Sequence, residues 1–159
     1  MTTAISALEG SGLGRVLRDS LWAYPTVETL HILALATVYG SILIVDLRLL
    51  GLSRAVPATT LARHALPWTL GAFALAMVTG LLLFTAHAQD ILANRIFMVK
   101  MGLILCAGVN AALLHTGAFR TVAAWDTAVM PPPRVRLAAA LSIVVWTGVI
   151  ACGRLLAYT

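Results

Sequence analysis

Apolar residues dominate four stretches of the chain, at about 27–50, 65–86, 96–114 and 135–156, and polar residues gather between them. Each stretch comes close to or exceeds the roughly 20 residues that a helix needs to cross a hydrocarbon core. Pro25 and Thr26, just before the first stretch, suit a helix start. A polar break at 51–63 holds Pro57 and two arginines, and Pro67 falls in the first turn of the second helix. The connection at 89–95 is short, and the longer loop at 119–130 runs into Pro131, Pro132 and Pro133, which cannot continue a helix. Short connections on alternating sides predict an all-α, antiparallel four-helix bundle spanning a membrane as one domain. No strand-period alternation and no fixed repeat competes with that reading.

Residues 1–25 follow a different pattern. Ile5, Leu8, Leu13, Val16 and Leu17 alternate with Ser6, Glu9, Arg15, Arg18 and Asp19, and Gly10, Gly12 and Gly14 interrupt them. A basic region directly before a short apolar core is missing, so the segment does not read as a secretory signal. It predicts two short amphipathic turns lying in the interface, with Trp22 and Tyr24 as headgroup anchors.

Composition removes the soluble alternative. The 159 residues are 60% apolar and 11% charged, against about 25% charged in an average soluble domain, and the mean hydropathy is +0.94. A soluble monomer of this size would have to wet much of that apolar surface. Disorder needs the opposite balance of charge and hydrophobicity. The net charge of +5 is spread singly along the chain, without a basic run or an aromatic platform, which argues against nucleic acid as a partner. Arg48, Arg54, Arg63, Arg120, Arg134 and Arg136 fall at one end of the bundle, and Arg15, Arg18, Arg95 and Arg154 at the other. The larger set belongs in the cytoplasm, which puts both termini outside. Cys106 and Cys152 lie in apolar stretches with no paired spacing and read as buried small hydrophobes.

The four histidines sort by depth. His31, one turn into the first helix, and His87, at the end of the second, lie near the outer face; His64 and His115 lie near the inner one. Facing histidines on two helices are what axial ligation of haem iron requires, although a ring at a helix end can also simply reach headgroups. His64 and His87 are 23 residues apart, about 34 Å of rise and about 140° around the helix. One haem site is therefore expected rather than a stacked pair.

The outer site gathers further candidates. Lys100 is the single lysine and sits inside an apolar stretch, where a charge must be paired, liganded or able to snorkel. Glu28, one turn before His31, is a candidate counter-charge, and Gly80 would let a flat macrocycle approach the helix backbone or serve helix packing. At the inner end, Asp46 and Arg48 read as a structural latch, or as a proton-handling group with His115 and His64 in a second site. Asn110 suits an interhelical hydrogen bond. Met98 and Met101 flank Lys100 and would suit Cu(I), but their spacing equally suits packing.

Thr29-Leu30-His31-Ile32-Leu33, Gly40 and the terminal Arg48-Leu49 resemble the opening of HemJ-type protoporphyrinogen oxidases, and Phe97-Met98-Val99-Lys100 resembles that family's lysine-bearing third helix. The same outline recurs in CopD-like domains and in small bacterial inner-membrane proteins, to which the stretch 46–52 is most similar. The resemblance implies a haem b site on His31 with Lys100 as ligand or charge partner. Where HemJ-type proteins show Pro-Arg-Leu at the end of the first helix, this chain has Asp46-Leu47-Arg48.

The expectation is a haem b electron-transfer protein with axial ligands His31 and His87, Lys100 holding a propionate or ligating, and a quinone, periplasmic donor or oxidase as partner. A non-catalytic scaffold subunit of a larger complex is the alternative from another class, and CopD-like copper transport is the third.

Overall fold

A computed structural model describes residues 2–158. Four helices in it are long and apolar enough to span a membrane: α3 (Ala23–Leu49), α4 (Ala58–Ala86), α6 (Arg95–Thr116) and α7 (Pro133–Leu156). Two short helices precede them, α1 (Thr2–Glu9) and α2 (Gly12–Asp19), and a third, α5 (Ala88–Ala93), joins α4 to α6. A 3-10 turn at Ala118–Ala124 lies between α6 and α7. No strand occurs among the described residues, and the protein is an all-α membrane-spanning four-helix bundle.

Two tight hairpins build it. α3 packs along α4, α6 packs along α7, and α3 lies against α7 to join the halves. The middle of the bundle is filled by Val38, Ala107, Val145, Trp146 and Val149, with Phe73 edge-on to Trp146. A second cluster, at the end of the bundle that carries the 51–57 and 117–132 loops (the expected inner end), comprises Leu49, Ala58, Trp125, Val135 and Ala139. Single polar bonds cross the apolar seams: Tyr39 to Thr147 at 3.0 Å, Ser41 to Thr69 at 2.8 Å, and the Asn110 amide donating to the Ala138 carbonyl at 3.0 Å. Such bonds are common glue between helices in lipid, where an unpaired polar group is costly.

The helix ends explain where the observed elements differ from the expected ones. α4 begins at Ala58 rather than near residue 65, because the start is capped from another part of the chain. The Asp126 carboxylate accepts from the Thr59 backbone N–H and from the Thr59 hydroxyl, both at 2.8 Å, and the Asp126 carbonyl accepts from the Ala58 N–H. The extra turns place Arg63 and His64 inside the helix and Pro67 well past its first turn. α3 closes at Leu49, and Gly51 turns the chain with φ of +107°, where a β-carbon would also stand 2.8 Å from Sδ of Met130. Pro133 opens α7 in the first-turn position that suits proline. The 89–95 connection holds α5, with Asp90 in its first turn where a carboxylate favours the N-terminal dipole.

The N-terminal segment forms two helices folded onto the outer corner of α4 and α5. The Arg18 guanidinium donates to the Ala86 carbonyl at 2.9 Å and the Glu9 carbonyl at 2.7 Å. The Glu9 carboxylate accepts from the backbone and side-chain N–H groups of Gln89. Leu13, Val16, Leu21 and Trp22 stay exposed. The segment is thus tied to the bundle and leaves these apolar side chains uncovered.

Candidate functional site

The outer half of the bundle brings together side chains from all four long helices. His31 on α3 is half-buried, and its Nδ1 lies 2.9 Å from the Thr79 hydroxyl on α4. Its ring packs flat enough on Gly80 that a β-carbon there would stand 3.1 Å from Cε1. The Lys100 ammonium on α6 lies within electrostatic reach of His31. It rests on the backbone of α7, where a β-carbon on Gly153 would be 3.5 Å from Nζ, and it interacts electrostatically with Cys152. Two glycines therefore seat the two polar groups, one notch for an imidazole and one for an ammonium.

Thr79 supplies the local chemistry. It is 3% exposed, and its hydroxyl donates to the Leu75 carbonyl at 2.7 Å in the usual helical back-bond. An imidazole tied by one nitrogen leaves the other as an open base, the arrangement that metal-ligating histidines share.

Other candidates of the outer site lie apart from this cluster. His87 is exposed, forms the joint between α4 and α5, and sets its ring edge-on to Tyr24 at 5.7 Å. It follows Gly80 by seven residues, about 10 Å of helical rise beyond the level of His31. Glu28 is exposed and lies within electrostatic reach of Tyr24. Among the described residues no carboxylate makes an ion pair with Lys100. Phe84 and Phe97 stack at 6.0 Å between α4 and α6.

The inner candidates split into separate roles. His64 and His115 are exposed, and each ring turns back onto its own helix, Nδ1 donating to Thr60 and Ala111 carbonyls at 2.8 Å. His115 also stacks on Phe119 at 5.5 Å. Asp46 is 4% exposed and lies near Ser142 on α7, and its buried Oδ2 has no hydrogen-bond partner. Arg48 is 2% exposed and donates to the Val56 carbonyl at 2.6 Å and the Asp126 carbonyl at 2.9 Å. Arg48 thereby latches both inner loops to α3. The two residues make no bond with each other.

Thr79 and Gly153 were not singled out in the sequence, and Cys152 was read there only as a small hydrophobe. A threonine beside a glycine in an apolar helix was the one local hint, and it is also what ordinary helix packing shows. Cys106, expected to be buried, faces outward. Met98 and Met101 are exposed as well. Among the described residues, no group of three or more histidine, cysteine, aspartate or glutamate side chains could hold a metal ion.

No curated protein and no solved structure matches the chain. One family does, over residues 7–159, and the chain belongs to it: the family of unknown function DUF6644.

Proposed function

We propose that this protein is a haem b-binding redox protein of the bacterial inner membrane, with its site in the outer half of the bundle. The observation that carries the proposal is His31, anchored through Nδ1 to Thr79 and seated on Gly80, with Lys100 beside it. A haem ligand must be an oriented imidazole with one free nitrogen. A haem also carries propionates, for which an intramembrane ammonium without a carboxylate partner is a fitting counter-charge. His31 would ligate the iron and Lys100 would hold a propionate or take the opposite axial position. His87 stands farther out, at the rim. Bound haem would supply one-electron chemistry, with a quinone or a periplasmic protein as the exchange partner. The similarity of the His31 and Lys100 segments to HemJ-type proteins points the same way.

The arginine distribution supports an orientation with the 51–57 and 117–132 loops in the cytoplasm and both termini in the periplasm. A scaffold role remains the second reading. Its support is α6, of whose most apolar window only 6% is buried, leaving a long helix face for a partner subunit.

The test is a reduced-minus-oxidised absorption spectrum of the purified protein in lipid nanodiscs. A Soret band and a sharp α-band are expected, lost in His31→Gln and altered in position or intensity in Lys100→Gln. Absence of a Soret band in protein produced with ample haem would overturn the reading. If His31→Ala and Lys100→Ala then also leave assembly with partners intact, the scaffold reading takes its place.

A further inference from the structure

We infer that Thr79 fixes His31 as the tautomer with its proton on Nδ1, which assigns Nε2 as the atom that meets the ligand of the outer site. The inference deepens the haem reading and rests on it only for what Nε2 meets.

The donor count leaves one arrangement. A threonine hydroxyl has a single proton. Thr79 Oγ1 lies 2.7 Å from the Leu75 carbonyl oxygen and 3.2 Å from that of Ala76, and neither carbonyl can donate. If the proton turned toward His31 instead, Oγ1 would press its lone pairs on a carbonyl oxygen 2.7 Å away with nothing between them. The proton therefore stays on the helix side, and Oγ1 offers a lone pair to His31. A contact of 2.9 Å there requires an N–H on Nδ1.

Ring placement agrees with this. From the β-carbon position on Gly80, Cε1 is at 3.1 Å, Nδ1 at 3.6 Å and Nε2 at 4.0 Å. Of the two nitrogens, Nε2 is thus the farther from that point on the α4 backbone. Thr79 acts through His31, as a positioning residue, and is itself almost wholly buried.

Nitrogen NMR of the full chain, labelled with 15N-histidine and held in nanodiscs, reads the tautomer directly without any bound cofactor. Two-bond proton–nitrogen correlations distinguish the two neutral forms, and the His31→Gln spectrum identifies the His31 signals. The wild type is expected to show Nδ1 protonated and Nε2 bare. Thr79→Val is expected to lose this preference and Thr79→Ser to restore it, with unchanged helix content by circular dichroism. A wild-type spectrum with the proton on Nε2 would sink the inference, and so would a Thr79→Val spectrum indistinguishable from wild type. The wild-type spectrum stands even if Thr79→Val fails to fold. An Nδ1–H pattern in a protein without a Soret band would uphold the tautomer assignment while removing haem as the ligand.

Discussion

At Gly80 an added β-carbon would stand 3.1 Å from Cε1 of His31, and that ring is already tied at 2.9 Å to the neighbouring Thr79. The ring cannot retreat without stretching its hydrogen bond. Alanine also gains about 1 kcal/mol over glycine in a helix interior, so Gly80→Ala has opposed effects on stability and on the site. The expected outcome is a melting temperature close to wild type with a clear fall in haem bound per protein, read from the Soret-to-280 nm ratio. Seven residues put Gly80 nearly on the helix stripe of His87, whereas its partner is His31 on another helix. Helical arithmetic is reliable within one helix and silent about which neighbour faces it. Thr79 was hidden for the same reason: its back-bond is what any threonine in an apolar helix makes, and only its contact with His31 gives it a role.

Among the elements, α4 and the N-terminal pair depend on remote contacts. Asp126 lies 67 residues after Thr59 in sequence and still caps it. The Thr59 backbone N–H, helped by its hydroxyl and by the Arg48 charge, holds the Asp126 carboxyl below its ordinary range. A folded-state pKa lower than the unfolded one contributes stability above the unfolded value, near pH 4, and loses it as pH falls through the folded value. Melting curves should therefore be flat from pH 7 to about 4.5 in this respect and drop below about 4. Asp126→Ala should cost about 1 kcal/mol at pH 7, as loss of a helix cap does, and should show a shallower acid limb. At the opposite end, a β-carbon on Gly14 would stand 2.6 Å from the Glu9 carbonyl oxygen and 3.0 Å from that of Thr85. Both are backbone atoms that cannot swing aside. Gly14→Ala should release the N-terminal segment, seen as faster proteolysis before residue 20, while the haem spectrum persists. The four spans were legible because lipid demands long apolar runs, with few charges to blur them. The start of α4 was not, since its cap comes from a loop after α6.

Over the whole molecule, charge scarcity located the candidate site better than any motif did. With 11% charged residues, a lysine in an apolar helix stood out, and the fold places it with His31 and Gly80. The same filter also selected Glu28 and Asp46, which the fold sends elsewhere, one to the surface and one to a buried position on the far part of α3. Orientation is open to a direct check: a cysteine introduced at Ala128, in a background lacking Cys106 and Cys152, should react with an impermeant maleimide only after cells are opened. One introduced at Tyr158 should react in intact cells. The division into two hairpins bears on biogenesis. His31, Thr79 and Gly80 belong to the first hairpin, and Lys100, Cys152 and Gly153 to the second. Because α7 is the last helix to emerge during synthesis, neither half carries the complete cluster, and a haem bound as proposed would be enclosed only after the second hairpin has inserted and docked. Cofactor loading would then report on completed membrane assembly, since a chain stalled before α7 has a histidine in place and no floor for the lysine that faces it.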